Sequence, residues 1–461
     1  MTEKELKTQP RDVIQVDQEV IENISELVEA QDTPSILTIL ANLHPADIAE
    51  LINHLKVEDA KYVFGILDRD TAVEVITELD EDLREEILAE IDKNKITDIV
   101  DELDSDDATD IVSELPESVA EHVLENIDEE DSAEVKELLK YPEDTAGGLM
   151  SSDFVFVYDD ATLREAIKEV RRHADEFEQI YHIYVLNKNK QLLGFVPLKA
   201  LLTNPLRTKI TDVMEEDLIY VTPDIDQEEV AQIMDKYDLV SLPVVDKNKV
   251  MLGRITIDDI VDVIQEEAEE DISKIAGLTD DEEVSHSPFK VSRIRLPWLM
   301  VSLFGELISA LVLSHFQASL EQIIVASFFI PIVMAMGGSS GQQAAIVMVR
   351  YLGTKGIWFS EALKKLGKEF KVALVNGAVS SIILFIMTYF FFDTGLHFSM
   401  ILSFTLLIIM INATIIGAAV PVFLKKIGVD PVVATGPFVA TTNDIIGLLT
   451  YFILLSIFFV Q

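Results

Sequence analysis

Apolar positions change their spacing three times along this chain. Between residues 34 and 140 they recur at intervals of three and four, in short runs. ADIAELINHL at 46–55, DTAVEVITEL at 70–79 and SVAEHVLENI at 118–127 are loose copies of one pattern, and ITDIVDEL at 96–103 returns as ATDIVSEL at 108–115. The spacing predicts short amphipathic helices with Asp or Ser near each start as a cap. Helices this short bury a face only by stacking on neighbours, which predicts an all-α solenoid. Residues 1–33 read as a polar lead-in ending in a helix.

From 141 the pattern alternates between strand and helix, and it does so twice. MSSDFVFVYDDATLREAIKEV at 150–170 parallels MEEDLIYVTPDIDQEEVAQIM at 214–234, and IYVLNKNKQLLGFVPLKALL at 183–202 parallels LPVVDKNKVMLGRITIDDIV at 242–261. Each copy predicts strand, helix, hairpin with an Asn-Lys turn, and helix, so 141–206 and 207–271 form two α+β domains. Residues 272–292 form a connector whose first part continues the helical pattern. From 293 to 461 five apolar stretches of about 20 residues, enough to span a bilayer, lie near 296–314, 322–349, 372–392, 398–424 and 431–460. The fold class is therefore multi-domain, with a five-helix α-helical transmembrane domain at the C-terminal end.

Charge divides the chain in the same place. Residues 1–290 hold 26 Lys/Arg and 74 Asp/Glu, whereas 291–461 hold ten and seven. An acidic surface of this size excludes nucleic acid as a partner, because phosphates need a basic footprint. It repels itself, so bound cations would compact it. Basic residues flank alternate ends of the apolar stretches: Arg293 and Arg295, then Arg350 to Lys371, then Lys425 and Lys426. That asymmetry predicts N-terminal domains in the cytosol and a C-terminus outside, across the cytoplasmic (inner) membrane. No secretory leader is visible in the first 32 residues. The chain has no cysteine, which removes disulfides and thiolate metal chemistry.

Asp444 is the only charge between Pro431 and Val460, and it follows Thr441, Thr442 and Asn443. A lone carboxylate at membrane depth faces a pore, a cavity or a partner. Beside hydroxyl and amide oxygens it suits a hard divalent cation such as Mg2+. The alternative is a carboxylate bonded between packed helices. The second stretch contains Gly337-Gly338-Ser339-Ser340-Gly341, which implies close helix approach or a broken helix. Asn412 and Thr414 in the fourth read as packing contacts. A further constellation lies at 256–273, TIDDIVDVIQEEAEEDIS, where Ile257, Ile260, Val261, Ile264, Ala268 and Ile272 share one helical face. Asp259, Asp262, Glu266, Glu269 and Glu270 share the other, with no Lys or Arg in the segment. Like charges four apart destabilise a helix, and bound cations would relieve them. Asp106, Asp107 and Asp110 of the solenoid supply a facing surface. The competing reading is a solvated acidic face. No catalytic arrangement, P-loop or paired histidine site occurs, so the chain is not expected to be an enzyme.

Two resemblances sharpen these expectations. The repeated α+β unit resembles a tandem pair of CBS domains, which implies ligand sensing and possible ATP binding. LHPADIAEL at 43–51, YPEDTAGGLM at 141–150, RLPWL at 295–299, PIVMAMGGSSGQQ at 331–343 and DPVVATGPFVATTNDIIGLLTYF at 430–452 together resemble the MgtE magnesium channels. That resemblance implies a homodimer in the lipid bilayer, a pore between protomers formed largely by the second and fifth spans, and closure by cytosolic Mg2+. Its pore aspartate falls on Asp444. Its regulatory ligands fall on Glu228, Asp238, Asp259, Asp262, Glu267, Glu270 and Asp271. Some members have Asn where this chain has Ser339 and Gly436, so metal discrimination is expected to differ. A broader Co2+/Ni2+ channel and a non-conducting Mg2+ or nucleotide sensor are the alternatives.

Overall fold

The computed structural model describes residues 18–174, 177, 179–276, 288–317, 324–353, 359–432 and 436–459. The lead-in before Gln18 and the connector at 277–287 lie outside them. The chain forms two compact units, Met1–Gln265 and Glu266–Gln461.

Among its described residues the first unit begins with ten helices: α1 (Gln18–Glu29), α2 (Thr33–Leu40), α3 (Pro45–Asn53), α4 (Val57–Gly65), α5 (Arg69–Ile76), α6 (Glu81–Leu88), α7 (Lys93–Val100), α8 (Ser105–Glu114), α9 (Glu117–Asn126) and α10 (Glu129–Leu138). Most are eight to ten residues long, too short to stand alone, and several pack on the helix next but one, α3 on α5 and α8 on α10 among them. Ile48, Leu51, Val63, Phe64, Val75, Ile76, Ile96 and Ile99 fill the shared core. Acidic residues are spent at the helix starts: Asp68 accepts from Thr71 N–H at 3.2 Å and Asp92 from Asn94 N–H at 2.8 Å. Cations reach acids two helices on, as in Lys61–Glu90 at 2.9 Å and Arg69–Glu102 at 2.9 Å.

The α+β part contains β1 (Phe156–Tyr158), α11 (Leu163–Arg172), β2 (His182–Leu186), β3 (Leu192–Pro197), α12 (Leu198–Thr203), α13 (Gln227–Tyr237), β4 (Ser241–Val245), β5 (Met251–Thr256) and α14 (Ile257–Ala276). The repeat is preserved in detail. β2 and β3 pair antiparallel with Val185 opposite Gly194, and β4 and β5 with Val244 opposite Gly253. The hairpin turns use the same device. Asn187 Oδ1 accepts from Asn189 and Gln191 N–H, and Asp246 Oδ1 accepts from Asn248 and Val250 N–H. Lys190 and Lys249 close these turns at φ 58° and 62°. One expected strand is reduced: the second copy keeps only a single parallel bridge, Val221 to Val244. Pro223 lies two residues on and has no N–H to extend the pairing.

Among its described residues the second unit carries five helices long and apolar enough to cross a membrane. They are α15 (Pro288–His315), the pair α16 (Ile324–Ser327) and α17 (Ile330–Gly353), α18 (Phe359–Phe390), α19 (Leu396–Lys426) and α20 (Pro437–Phe459). α18 starts well before the expected 372, because its first three turns carry Lys364, Lys365, Lys368 and Lys371 beyond the apolar stretch. α20 starts at Pro437 rather than 431, with proline at the first helical position, where its missing N–H costs nothing. Leu303, Phe304, Leu307 and Leu311 of α15 stay exposed, as lipid-facing side chains do.

Candidate cation path and acidic regulatory surface

α17 runs unbroken through its glycines, so the close-approach reading holds and the broken-helix reading does not. A Cβ on Gly341 would lie 1.9 Å from Asn443 Nδ2, and one on Gly417 of α19 would lie 2.1 Å from Gly341 O. Only glycine admits these crossings. Ser340 and Thr414 hydroxyls bond at 2.7 Å, and Thr414 Oγ1 also donates to Met410 O, which makes Thr414 a packing contact. Tyr451 Oη donates to Ala326 O at 2.7 Å, tying α20 to α16.

These crossings place the polar run of α20 on the neighbouring helices. Thr441 packs where α15 carries Gly305, whose Cβ would lie 1.8 Å from Thr441 Cγ2. Asn443 is 5% exposed, and neither Oδ1 nor Nδ2 has a hydrogen-bond partner among the described residues. Thr442 and Asp444 are half-buried, and Ser339 is exposed. Asp444 lies within hydrogen-bond reach of Glu306 on α15. Sequence analysis missed Glu306, although it is the only charge in 296–314. The criterion that selects Asp444, an isolated carboxylate in an apolar stretch, selects Glu306 as well. Gly436 lies just before α20, and a Cβ there would sit 3.4 Å from Ile275 O at the end of α14.

The predicted regulatory acids separate into groups. Asp106 and Asp110 of α8 lie near Asp259 of α14. Burial and then the Asp259 carboxylate hold the Asp106 carboxyl well above the usual range. Burial pushes Asp110 up to about 7, against the pull of Arg84. Burial also pushes Asp259 up to about 6, against the Thr256 hydroxyl. The α8 start is fastened to the loop after α10: Ser105 N–H donates to Asp153 at 2.8 Å, and Ser152 N–H donates to Ser105 Oγ at 2.8 Å. Asp107 sits beside this group, its N–H donating to Asp106 Oδ1 at 3.1 Å. Among the described residues, no three acids or histidines converge as a ready metal cage. All-carboxylate donors brought together without that closure suit a Mg2+ ion that keeps its water.

Asp259 also has a structural duty. Thr256 N–H and Oγ1 donate to its Oδ2 at 3.1 and 2.7 Å, capping α14. Asp262 is on the surface of α14, its carboxyl raised by burial and then by Asp258. Glu228 and Asp238 are exposed at opposite ends of α13, about 15 Å apart along its axis, so one ion cannot span them within a protomer. Asp238 itself caps α13 in the left-handed conformation, φ 51°.

One feature of α14 extends its sequence reading and one corrects it. Its core-facing residues are Ile260 and Val263, whereas Val261, Ile264 and Ile272 are 58%, 49% and 66% exposed. Its acids are not without a cation either. Lys274, one residue past Ser273, pairs with Glu270 at 2.5 Å and with Asp430 at 3.4 Å. Asp271 is raised by burial and by Asp430, with Lys274 opposing. Glu266 is exposed and Glu267 half-buried on the same helix.

A cavity of about 190 Å³ in the α+β pair is lined by Tyr220 and Lys249 but also by Glu216 and Asp217. Two carboxylates and one ammonium are a poor match for a triphosphate, so this cavity does not suit ATP.

Helical and α+β domains followed by five helices apolar enough to cross a membrane are the architecture of a multi-pass membrane protein with attached soluble domains. Family models match in the same order: an MgtE intracellular N domain at 43–144, CBS domains at 146–206 and 210–266, and a divalent cation transporter domain at 330–454. The chain is 33% identical to the magnesium transporter MgtE of Thermus thermophilus, covering 93% of this chain and 96% of that one. It is 34% identical to MgtE of Bacillus subtilis over 70% of this chain and 71% of that one. A crystal structure of the cytosolic domain of the Mg2+ channel MgtE in complex with ATP matches with a TM-score of 0.50 at 33% identity, covering 53% of this chain and 99% of that one. The chain belongs to the MgtE family of magnesium transporters.

Proposed function

We propose that this protein is a Mg2+ channel of the cytoplasmic membrane, closed by Mg2+ that gathers on its cytosolic acidic domains. The observation that carries the reading is Asp444, a half-buried carboxylate on a spanning helix whose polar neighbours pack on glycines of α15 and α17. A hydrated Mg2+ would pass that carboxylate, which binds it through its water shell. Closure would come from neutralising Asp106, Asp110 and Asp259, whose mutual repulsion opposes apposition of α8 and α14. The end of α14 would report this to the pore through Lys274–Asp430 and the Ile275–Gly436 contact.

A homodimer is part of the proposal, because the exposed apolar face of α14 needs a cover and a second copy supplies one. Basic residues at alternate helix ends support N-terminal domains in the cytosol. Membership of a transporter family favours conduction over a membrane-anchored sensor. A second reading, a channel that also passes Co2+ or Ni2+, is favoured by Ser339 and Gly436, neither of which offers an amide oxygen. ATP binding by the CBS pair is proposed only by analogy with the relative's complex, and calorimetric titration of ATP checks it.

The deciding experiment is Mg2+ uptake into proteoliposomes. Asp444→Ala should abolish uptake while the protein still elutes as folded material. Uptake at the unsubstituted rate would return Asp444 to a packing role. Parallel Co2+ and Ni2+ uptake separates the two channel readings.

A further inference from the structure

Glu306 and Asp444 meet from two different helices, within hydrogen-bond reach. The approach is set by the backbone. Gly305 lets α15 touch Thr441 of α20 directly, and any side chain at 305 would collide with Thr441 Cγ2 at 1.8 Å. Glu306 is therefore held at the height of the α20 polar run. α20 has no Lys or Arg, and the nearest preceding cation in α15, Arg295, is 11 residues away, about 16 Å along the helix. Two carboxylates facing each other at membrane depth without a basic residue from either helix are unfavourable. The adjoining Asn443 is buried with both amide atoms unpartnered among the described residues. In a purely structural role a proton shared between the two carboxyls would relieve their repulsion. A cation supplied from solution meets the same need, and Glu306 is exposed enough to reach one.

We propose that Glu306 is a second selectivity-determining carboxylate of the cation path, acting with Asp444 on one hydrated divalent ion. The inference rests on the reading of Asp444 given above. Each carboxylate attracts a doubly charged ion twice as strongly as a singly charged one at the same distance. The pair therefore favours divalent over monovalent cations by charge, while each oxygen accepts from water in the ion's shell.

The test is Mg2+ uptake by the full-length protein in liposomes, with and without competing Na+. Glu306→Gln should raise the half-saturating Mg2+ concentration roughly tenfold, the effect of removing one charge about 5 Å from a divalent ion in a wet site. It should also let Na+ compete. Glu306→Asp keeps the charge and should keep the exclusion of Na+. Glu306→Ser is the second neutral variant, with less bulk beside Thr441, and should behave as Glu306→Gln. If the neutral variants change only the amount of folded protein or the maximal rate, leaving half-saturation and Na+ exclusion untouched, the proposal is overturned. Asp444→Ala tells the two readings apart. Loss of uptake in Asp444→Ala with unchanged half-saturation in Glu306→Gln sinks the role of Glu306 alone. Normal uptake in Asp444→Ala sinks both.

Discussion

Asn443 occupies a position that a nonpolar residue would fill at less cost. Its amide is buried against Gly341 with no partner among the described residues, and a buried unsatisfied amide costs on the order of 1–3 kcal/mol. Asn443→Leu keeps the branched shape but is bulkier, so relief of the buried amide is offset by tighter packing on Gly341, and thermal stability is expected to stay about unchanged. If the amide serves passing ions, the same variant should lose at least about tenfold in Mg2+ uptake, equivalent to some 1.4 kcal/mol in the transport barrier. Proteoliposome flux and a melting curve on one preparation check both halves. A variant that is less stable but transports normally would show that Asn443 is packing. At this scale the sequence is legible where chemistry is isolated. Asp444 and Glu306 stand out as single charges in apolar stretches. Asn443, Gly305 and Gly341 do not, because their roles are visible only when two helices are brought into contact.

Helix α8 and the start of α14 carry acids whose protonation is linked to folding. Asp110 is pushed up to about 7 and Asp259 to about 6, chiefly by burial. Both lie above an unfolded value near 4, so the folded form holds extra protons through that interval. The two groups therefore favour folding fully only below about pH 4, and stability falls as pH rises through about 4 to 7. A fragment ending before the connector, in chelator, should melt several degrees lower at about pH 8 than at about pH 5. Asp110→Asn with Asp259→Asn should flatten the slope, and Mg2+ should flatten it too by favouring the ionised carboxylates. A melting temperature that climbs over this interval contradicts the linkage. The elements themselves were readable: ITDIVDEL and ATDIVSEL become α7 and α8, and the two Asn-Lys hairpins match residue for residue. Two things were not. The register of α14 was obscured because a helix leaving its domain has an apolar face that periodicity cannot assign to core or to surface. The reduced pairing around Val221 was obscured because a strand's length depends on its partner.

Charge is the property of the whole molecule that neither motif nor fold accounts for. Residues 1–290 carry 74 acids against 26 bases, and the visible ion pairs engage few of the acids. Such a chain repels itself, the more so at low ionic strength. Divalent cations should relieve this far better than monovalent ones at equal ionic strength, if carboxylates such as Asp106, Asp259 and Asp271 bind them through shared water. The expected outcome is that Mg2+ in the millimolar range (roughly, for weak oxygen-donor sites) protects the full-length protein from proteolysis after residue 271, where α14 leads into the connector. Na+ matched for ionic strength should protect little. Neutralising Asp106, Asp259 and Asp262 together should shift the protecting concentration upward and, on the gating proposal, keep transport open at Mg2+ concentrations that shut the unsubstituted protein. Because the chain has no cysteine, single cysteines placed in the N-terminal domains and near Phe458 allow the side of the membrane to be read by impermeant labels in the same preparation. Protection that is identical in Mg2+ and Na+, or inhibition unchanged in the triple variant, would mean that the acids form a solvated surface and that closure is governed elsewhere in the chain.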